Sequence, residues 1–187
     1  MFLYYLAREP DRVDTDDGVA ISEQLQTFQL GGACPEALWP FNPDMLYEAP
    51  PPAAWDAARA LKAGRWSPLT DDGEVTAAGL RGALAAGSPV IFGLHTFASF
   101  ESDAVRQGAP LPVPLPGETE TQRHCLLAVG YRTDAQGLQI LCRNSWGADW
   151  GVGGCLWIPD AYFGHRCADG GSTALDGYLL QTLDVAG

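Results

Sequence analysis

Two stretches decide how this chain is read: His124-Cys125-Leu126-Leu127-Ala128-Val129-Gly130-Tyr131 and Leu138-Gln139-Ile140-Leu141-Cys142-Arg143-Asn144-Ser145-Trp146-Gly147. Each carries an apolar run of strand length, and Thr133-Asp134-Ala135-Gln136-Gly137 between them suits a hairpin connection. A hairpin sets the start of its first strand beside the end of its second, so His124 and Asn144 are predicted neighbours. Their even separation can put both on one face, and a one-residue slip would put them on opposite faces. On a shared face, the Asn144 amide oxygen can accept from one imidazole nitrogen and leave the other free to take a proton. The Trp146 indole would keep water off that hydrogen bond. Trp150-Gly151 and Gly154 follow, and the glycines here, Gly147 included, read as backbone turn positions.

Working outward, Val90–Thr96, Leu156–Ile158 and Tyr178–Leu183 supply further strands. The first half reads instead as short helices. Phe2–Glu9 stops before Pro10 and has no capping residue ahead of it. Asp17 is positioned to cap a second helix, in which Val19, Ile21, Leu25 and Phe28 form an apolar face as far as Gly31-Gly32. Pro51-Pro52 opens a third, with Trp55, Ala58 and Leu61 on one side and Gly64 as its stop. A fourth runs from Thr76 to Ala86 and buries Leu80 and Leu84. Between the first strand and the hairpin, Pro110, Pro112, Pro114 and Pro116 recur at every second position, which favours an extended loop. Helices first and strands afterwards predict an α+β architecture of two lobes, divided into residues 1–75 and 76–187.

Eleven Lys and Arg against 23 Asp and Glu leave a net charge of -12 and no basic stripe. That balance argues against a nucleic-acid partner and against docking on anionic lipid, both of which need cations. No apolar run approaches the length of a membrane span, and Met1–Leu6 lacks the basic start and small-residue cleavage site of a signal peptide. The five cysteines include no CxxC pair, so the compartment stays open. Asp14, Asp16 and Asp17 lack calcium-loop spacing. Cys167 pairs with His165 in His-Arg-Cys but finds no second pair, and His95 has no partner pattern, so no metal and no cofactor is expected.

The order His-x-x-x-x-Val-Gly-Tyr, then Asn-Ser-Trp-Gly-x-x-Trp-Gly-x-x-Gly, closely resembles the papain-like cysteine peptidases. Gly32-Ala33-Cys34-Pro35-Glu36-Ala37-Leu38-Trp39-Pro40-Phe41 is similar to the family's Gly…Glu…Tyr-Pro-Tyr segment in its bacterial form. Leu80–Gly93, with Gly-x-Pro-Val, is similar to the helix and strand that start the family's β lobe. The resemblance implies a papain-like two-lobed fold with a peptide or protein substrate in a groove between the lobes. By it, His124 partners a thiolate, Asn144 orients His124, Trp146 is the shielding indole with Gly147 beside it, and Gly18 falls near substrate-pocket glycines.

The same resemblance exposes a gap. The family nucleophile opens a helix about 130–150 residues before the catalytic His and Asn. Counting back about 130 residues from His124 passes Met1, so this chain is expected to begin after that helix and to be inactive alone. Cys34 sits in a turn-like segment with no helix N-terminus to lower its pKa, Cys125 points away from His124, and Cys142 and Cys155 read as core thiols. Without the missing helix, Phe2, Tyr5 and Leu6, or Val19, Leu25 and Phe28, would need another cover, such as a dimer partner or a complementary chain. The alternative is a non-catalytic papain-like scaffold that binds a peptide or protein partner.

Overall fold

The computed structural model describes residues 1–8, 18–115 and 117–185. Asp14, Asp16 and Asp17 lie outside the described residues. The chain forms two compact units, one of Met1–Trp66 with Leu180–Gly187 and the other of Ser67–Leu179. No helix among the described residues is long and apolar enough to cross a membrane.

In the smaller unit, helix α1 (Phe2–Arg8) contributes Phe2 and Leu6, and α3 (Pro52–Ala58) contributes Ala54 and Ala58, to a cluster completed by Trp39. Phe2 and Leu6 therefore find cover within this unit, with Trp55 set edge-on to Phe2. Helix α2 (Ile21–Gly31) begins later than the Asp17 cap predicts: its N-terminal flank is Ala20, whose N–H donates to Glu23 at 3.3 Å. It buries Leu25, and Gly32 ends it with φ 80. A Cβ at Gly32 would stand 1.8 Å from the Ala58 carbonyl oxygen, so both conformation and space demand glycine there.

The predicted third helix is too long. It ends at Ala58, and Leu61–Pro68 is instead strand β1. Long-range backbone partners override local propensity here. The Leu61 carbonyl accepts from Ala33 N–H, the Arg65 N–H donates to the Thr182 hydroxyl, and Gln29 donates to the Gly64 carbonyl.

The larger unit is antiparallel sheet with helix α4 (Ala77–Ala85) against it. The Thr76 hydroxyl caps α4 by accepting from Gly79 N–H at 3.1 Å, and Leu80 is fully buried. Strand β2 (Val90–Phe97) lies between β6 (Ala174–Val185) and β3 (Glu120–Asp134). Beyond β3 come β4 (Gly137–Arg143) and β5 (Cys155–Pro159). Short helices α5 (Asp103–Arg106) and α6 (Asp160–Phe163) complete the unit. Its core holds Val90, Phe92, Leu94, Leu126, Ala128, Ile140, Leu156, Ile158 and Tyr162. Strand β3 starts five residues earlier than its apolar run predicts. Its polar N-terminal part pairs along β2, where backbone hydrogen bonds replace hydrophobicity as the organising force. The α+β expectation holds.

Candidate active site

The hairpin turn pairs Asp134 with Gly137, and Asp134 Oδ1 accepts from Gln136 N–H at 2.9 Å. From there back to Gly130, even-numbered residues of β3 face odd-numbered residues of β4, as in Gly130 opposite Leu141. Continued unbroken, that register would set Asn144 opposite Leu127, on the face away from His124. It is not continued. The register shifts between Ala128 and Gly130, so that Ala128 meets Cys142 and Leu127 meets Arg143. Val129 is the extra residue, a β-bulge that reverses which face of β4 matches which face of β3. Past it, His124 and Asn144 share a face.

There His124 Nε2 lies 2.8 Å from Asn144 Oδ1. The same oxygen accepts from the Ser145 backbone N–H at 2.7 Å, which identifies it as the amide's carbonyl end. The Nε2 atom must then be the donor, and in the neutral ring Nδ1 carries the lone pair. Asn144 is only 7% exposed, and its Nδ2 has no hydrogen-bond partner among the described residues. Its backbone N–H is held by the Gly154 carbonyl at 2.9 Å, which closes the loop of residues 144–154 on itself. Gly151 makes that closure feasible: φ is 60, and a Cβ would stand 2.3 Å from the Cys155 carbonyl oxygen. Gly147 also has positive φ, at 89, but open space around it.

Aromatic rings enclose the pair. The Trp146 ring centroid is 5.1 Å from that of His124 and tilted by 43°. Phe100, fully buried in the turn after β2, meets both His124 and Trp146 edge-on and stacks with Trp150. Phe100 belongs to no motif, so sequence reasoning passes over it; its register just past the end of β2 was the one available signal. Gly18 stands in the smaller unit, exposed, with φ 83.

None of the five cysteines is in a disulfide. Cys125 follows His124 along β3 and so points to the other face. It lines a cavity of about 440 Å³ with Ile91, Leu127, Arg143 and Ser145, and desolvation pushes its thiol up to about 11 although the residue is otherwise exposed. Burial raises the Cys142 and Cys34 thiols as well. Cys34 packs against the Phe2–Trp39 cluster of the smaller unit, which accounts for a structural role.

Residues 74–167, half of the chain, match the family model of the papain family cysteine proteases. An uncharacterized peptidase C1-like protein of Acanthamoeba polyphaga mimivirus is 28% identical over 186 residues, covering 97% of this chain and 58% of the relative. The crystal structure of xylellain, a cysteine protease from Xylella fastidiosa, superposes with a TM-score of 0.77 at 26% identity, over 97% of this chain and 68% of that one. A digestive procathepsin L 3 of Tenebrio molitor shares the fold at a TM-score of 0.61 and 15% identity, over 93% and 54% of the two chains. With its hairpin, its helices and its matched residues taken together, this chain belongs to the papain family of cysteine proteases.

Proposed function

We propose that this chain carries the histidine and asparagine of a peptide-hydrolysing Cys-His-Asn site, and that the thiolate comes from outside these 187 residues. The observation that carries the reading is the bond from His124 Nε2–H to Asn144 Oδ1, which leaves Nδ1 as the basic atom. A thiol brought to Nδ1 would pass its proton to the ring, and the imidazolium formed would keep its Nε2–H on Asn144. The thiolate would then attack the substrate carbonyl, and Nδ1–H would return the proton to the leaving amine. Trp146 and Phe100 shield the His124–Asn144 bond from water, which strengthens it in the lower local dielectric. The substrate class is a peptide or protein segment.

No cysteine of the chain suits the nucleophile's role. Cys125 faces away from His124, Cys142 and Cys167 are buried, and Cys34 packs on the cluster of the smaller unit. The same placement of the cysteines, with Cys125 turned away from His124 and Cys142 buried in the core, is the observation behind a second reading, a scaffold that binds peptides without cutting them. Isolation of the native protein from its source through a C-terminal affinity tag separates the two. Cleavage of a fluorogenic peptide that is blocked by thiol reagents and lost in His124→Ala supports the peptidase. Peptide binding without thiol-sensitive cleavage supports the scaffold.

A further inference from the structure

On the other face of the β2–β3 ribbon, a second polar group has formed. His124 lies opposite Leu94, and His95 lies opposite Arg123, so the two histidines point to opposite sides. His95 is 6% exposed, and its Nδ1 hydrogen-bonds to Glu120 Oε1. The Cys167 thiol, equally buried, completes the group: one ligand atom from each of His95, Glu120 and Cys167 lies within 4.8 Å of the other two. Sequence reasoning pairs Cys167 with His165. That reading finds no second pair and expects no metal; in the structure the group within reach of Cys167 holds His95 and Glu120, and the His165 ring lies edge-on to Phe97.

A β-bulge builds this group too. His95 opposes Arg123 and Thr96 opposes Gln122, but Phe97 opposes Glu120, so Thr121 is the extra residue. That shift rotates Glu120 onto the face of His95 and Phe97. Hydroxyls hold the break in the ladder: Thr121 donates to the Thr96 carbonyl at 3.0 Å, and Thr96 donates to the Gln122 carbonyl at 3.1 Å. The backbones carrying the other two side chains are also fixed. His95 N–H donates to Thr173 O at 2.7 Å, and the buried Tyr162 hydroxyl donates to His95 O at 2.9 Å. Cys167 is held in its turn by Cys167 N–H to Gly171 O and Gly170 N–H to Cys167 O, both 2.9 Å.

We propose that His95 Nδ1, a Glu120 carboxylate oxygen and Cys167 Sγ bind a zinc-class divalent ion, with the fourth position open to water. Nitrogen, oxygen and sulfur donors together suit zinc, and a thiolate excludes the hard cations calcium and magnesium. Zinc–nitrogen and zinc–sulfur bonds of about 2.0–2.3 Å need ligand atoms roughly 3.3–3.8 Å apart. To receive an ion, His95 Nδ1 and the Glu120 oxygen must part from their hydrogen bond by about an ångström while Cys167 Sγ stays within 4.8 Å of both, a side-chain adjustment that leaves the anchored backbones in place. On binding, the Cys167 thiol proton leaves to solvent, and the proton shared between His95 Nδ1 and Glu120 leaves Nδ1, so that the neutral ring carries its proton on Nε2. The hydrated ion gives up its waters to the three protein ligands except the one that keeps the fourth position. Glu120, the exposed member, gives the ion its way in.

The test is titration of the purified chain, stripped with a chelator, with cobalt(II) as a spectroscopic stand-in for zinc. The expected result is one equivalent bound, with a near-ultraviolet thiolate-to-cobalt band and strong visible bands of a four-coordinate ion, both lost on adding zinc. Cys167→Ser should abolish the ultraviolet band, and Cys125→Ser should leave it intact. Glu120→Gln, which keeps the side chain's size and its hydrogen-bonding reach to His95, should weaken cobalt binding by more than the roughly 10–100-fold that outer-shell changes produce. Absence of stoichiometric cobalt binding would overturn the proposal. So would a band that survives Cys167→Ser, or an affinity unmoved by Glu120→Gln. Should Cys167→Ser fail to fold, the Glu120→Gln titration still decides.

Discussion

Asn144→Ala separates what this side chain does for His124 from what it does for the fold. In the native chain, Oδ1 accepts two hydrogen bonds, from His124 Nε2 at 2.8 Å and Ser145 N at 2.7 Å. At about 0.5–1.5 kcal/mol net each, their loss is worth roughly 1–3 kcal/mol. Against this stands Nδ2, buried and without a partner, whose desolvation costs about 1–3 kcal/mol in the native state. The alanine variant removes that penalty as well. The two effects oppose each other at similar size, so the expected net change in unfolding free energy is within about 2 kcal/mol. The imidazole enjoys no such cancellation. Losing about 1 kcal/mol of preference for the Nε2–H form shifts the tautomer ratio roughly fivefold toward Nδ1–H. Denaturant unfolding measures the first quantity. Imidazole nitrogen NMR, at a pH where the ring is neutral, measures the second. An unchanged tautomer ratio would refute the claim that Asn144 orients His124. A loss of stability above about 3 kcal/mol would show that the bonds at Oδ1 count for far more than the orphaned Nδ2 gives back.

Glycine substitutions in the 144–154 loop should differ sharply. Gly151→Ala combines positive φ with a 2.3 Å clash and should cost roughly 3 kcal/mol or more, whereas Gly147→Ala meets open space and should cost about 1 kcal/mol, as read from thermal unfolding. With its thiol moved from 9.0 to about 11, Cys125 holds about a hundredfold less thiolate at neutral pH, partly offset by the greater nucleophilicity of a more basic thiolate. It should react roughly tenfold more slowly with a maleimide than an unshifted thiol, as followed by mass spectrometry. Desolvation alone would raise the Glu118 carboxyl, but N–H bonds from Leu115 and Ser99, with His165 nearby, outweigh it and hold it below the ordinary 4.5. The folded chain then binds fewer protons there than the unfolded one. This contribution to stability is complete above pH 4.5 and lost as pH falls through the folded value, so Glu118→Gln should flatten the acid limb of the stability curve. Hydrogen exchange should protect Leu126–Ala128 and Gln139–Leu141, each in a strand flanked on both sides, far more than the seven-residue helix α1.

Much of this arrangement was legible in the sequence because it is written in apolar runs and turn residues. The hairpin, helix α4 and strand β2 each follow from a local signal: a run of strand length, a Thr76 cap, a Pro89 break. What escaped has its cause far away in the chain. Strand β1 continues a helix-like pattern and is claimed by partners at Ala33 and Thr182, which no window around Leu61 contains. The start of α2 is set by Glu23 reaching back to Ala20 N–H, which a reading fixed on Asp17 overlooks. Phe100 packs on His124 through the fold of β2 against β3, with nothing in its immediate neighbours to announce it. His95, likewise, gains Glu120 and Cys167 from distant segments.

Strand β3 joins these observations physically. A perfectly regular hairpin closed by the Ala135-Gln136 turn would point Asn144 away from His124, and a perfectly regular β2–β3 ladder would point Glu120 away from His95. Each pairing is rescued by one extra residue, Val129 in the first case and Thr121 in the second. A bulge gives up ladder hydrogen bonds locally, a cost that stability alone does not explain in a strand otherwise paired along its length. At Thr121 the loss is offset by side-chain hydroxyls. At Val129, a half-exposed apolar residue, no such compensation is evident. The bulge at Val129 is therefore better understood as positioning than as packing. It sets the parity that lets one amide oxygen reach one imidazole nitrogen, and removing it would leave His124 and Asn144 both present but on opposite faces.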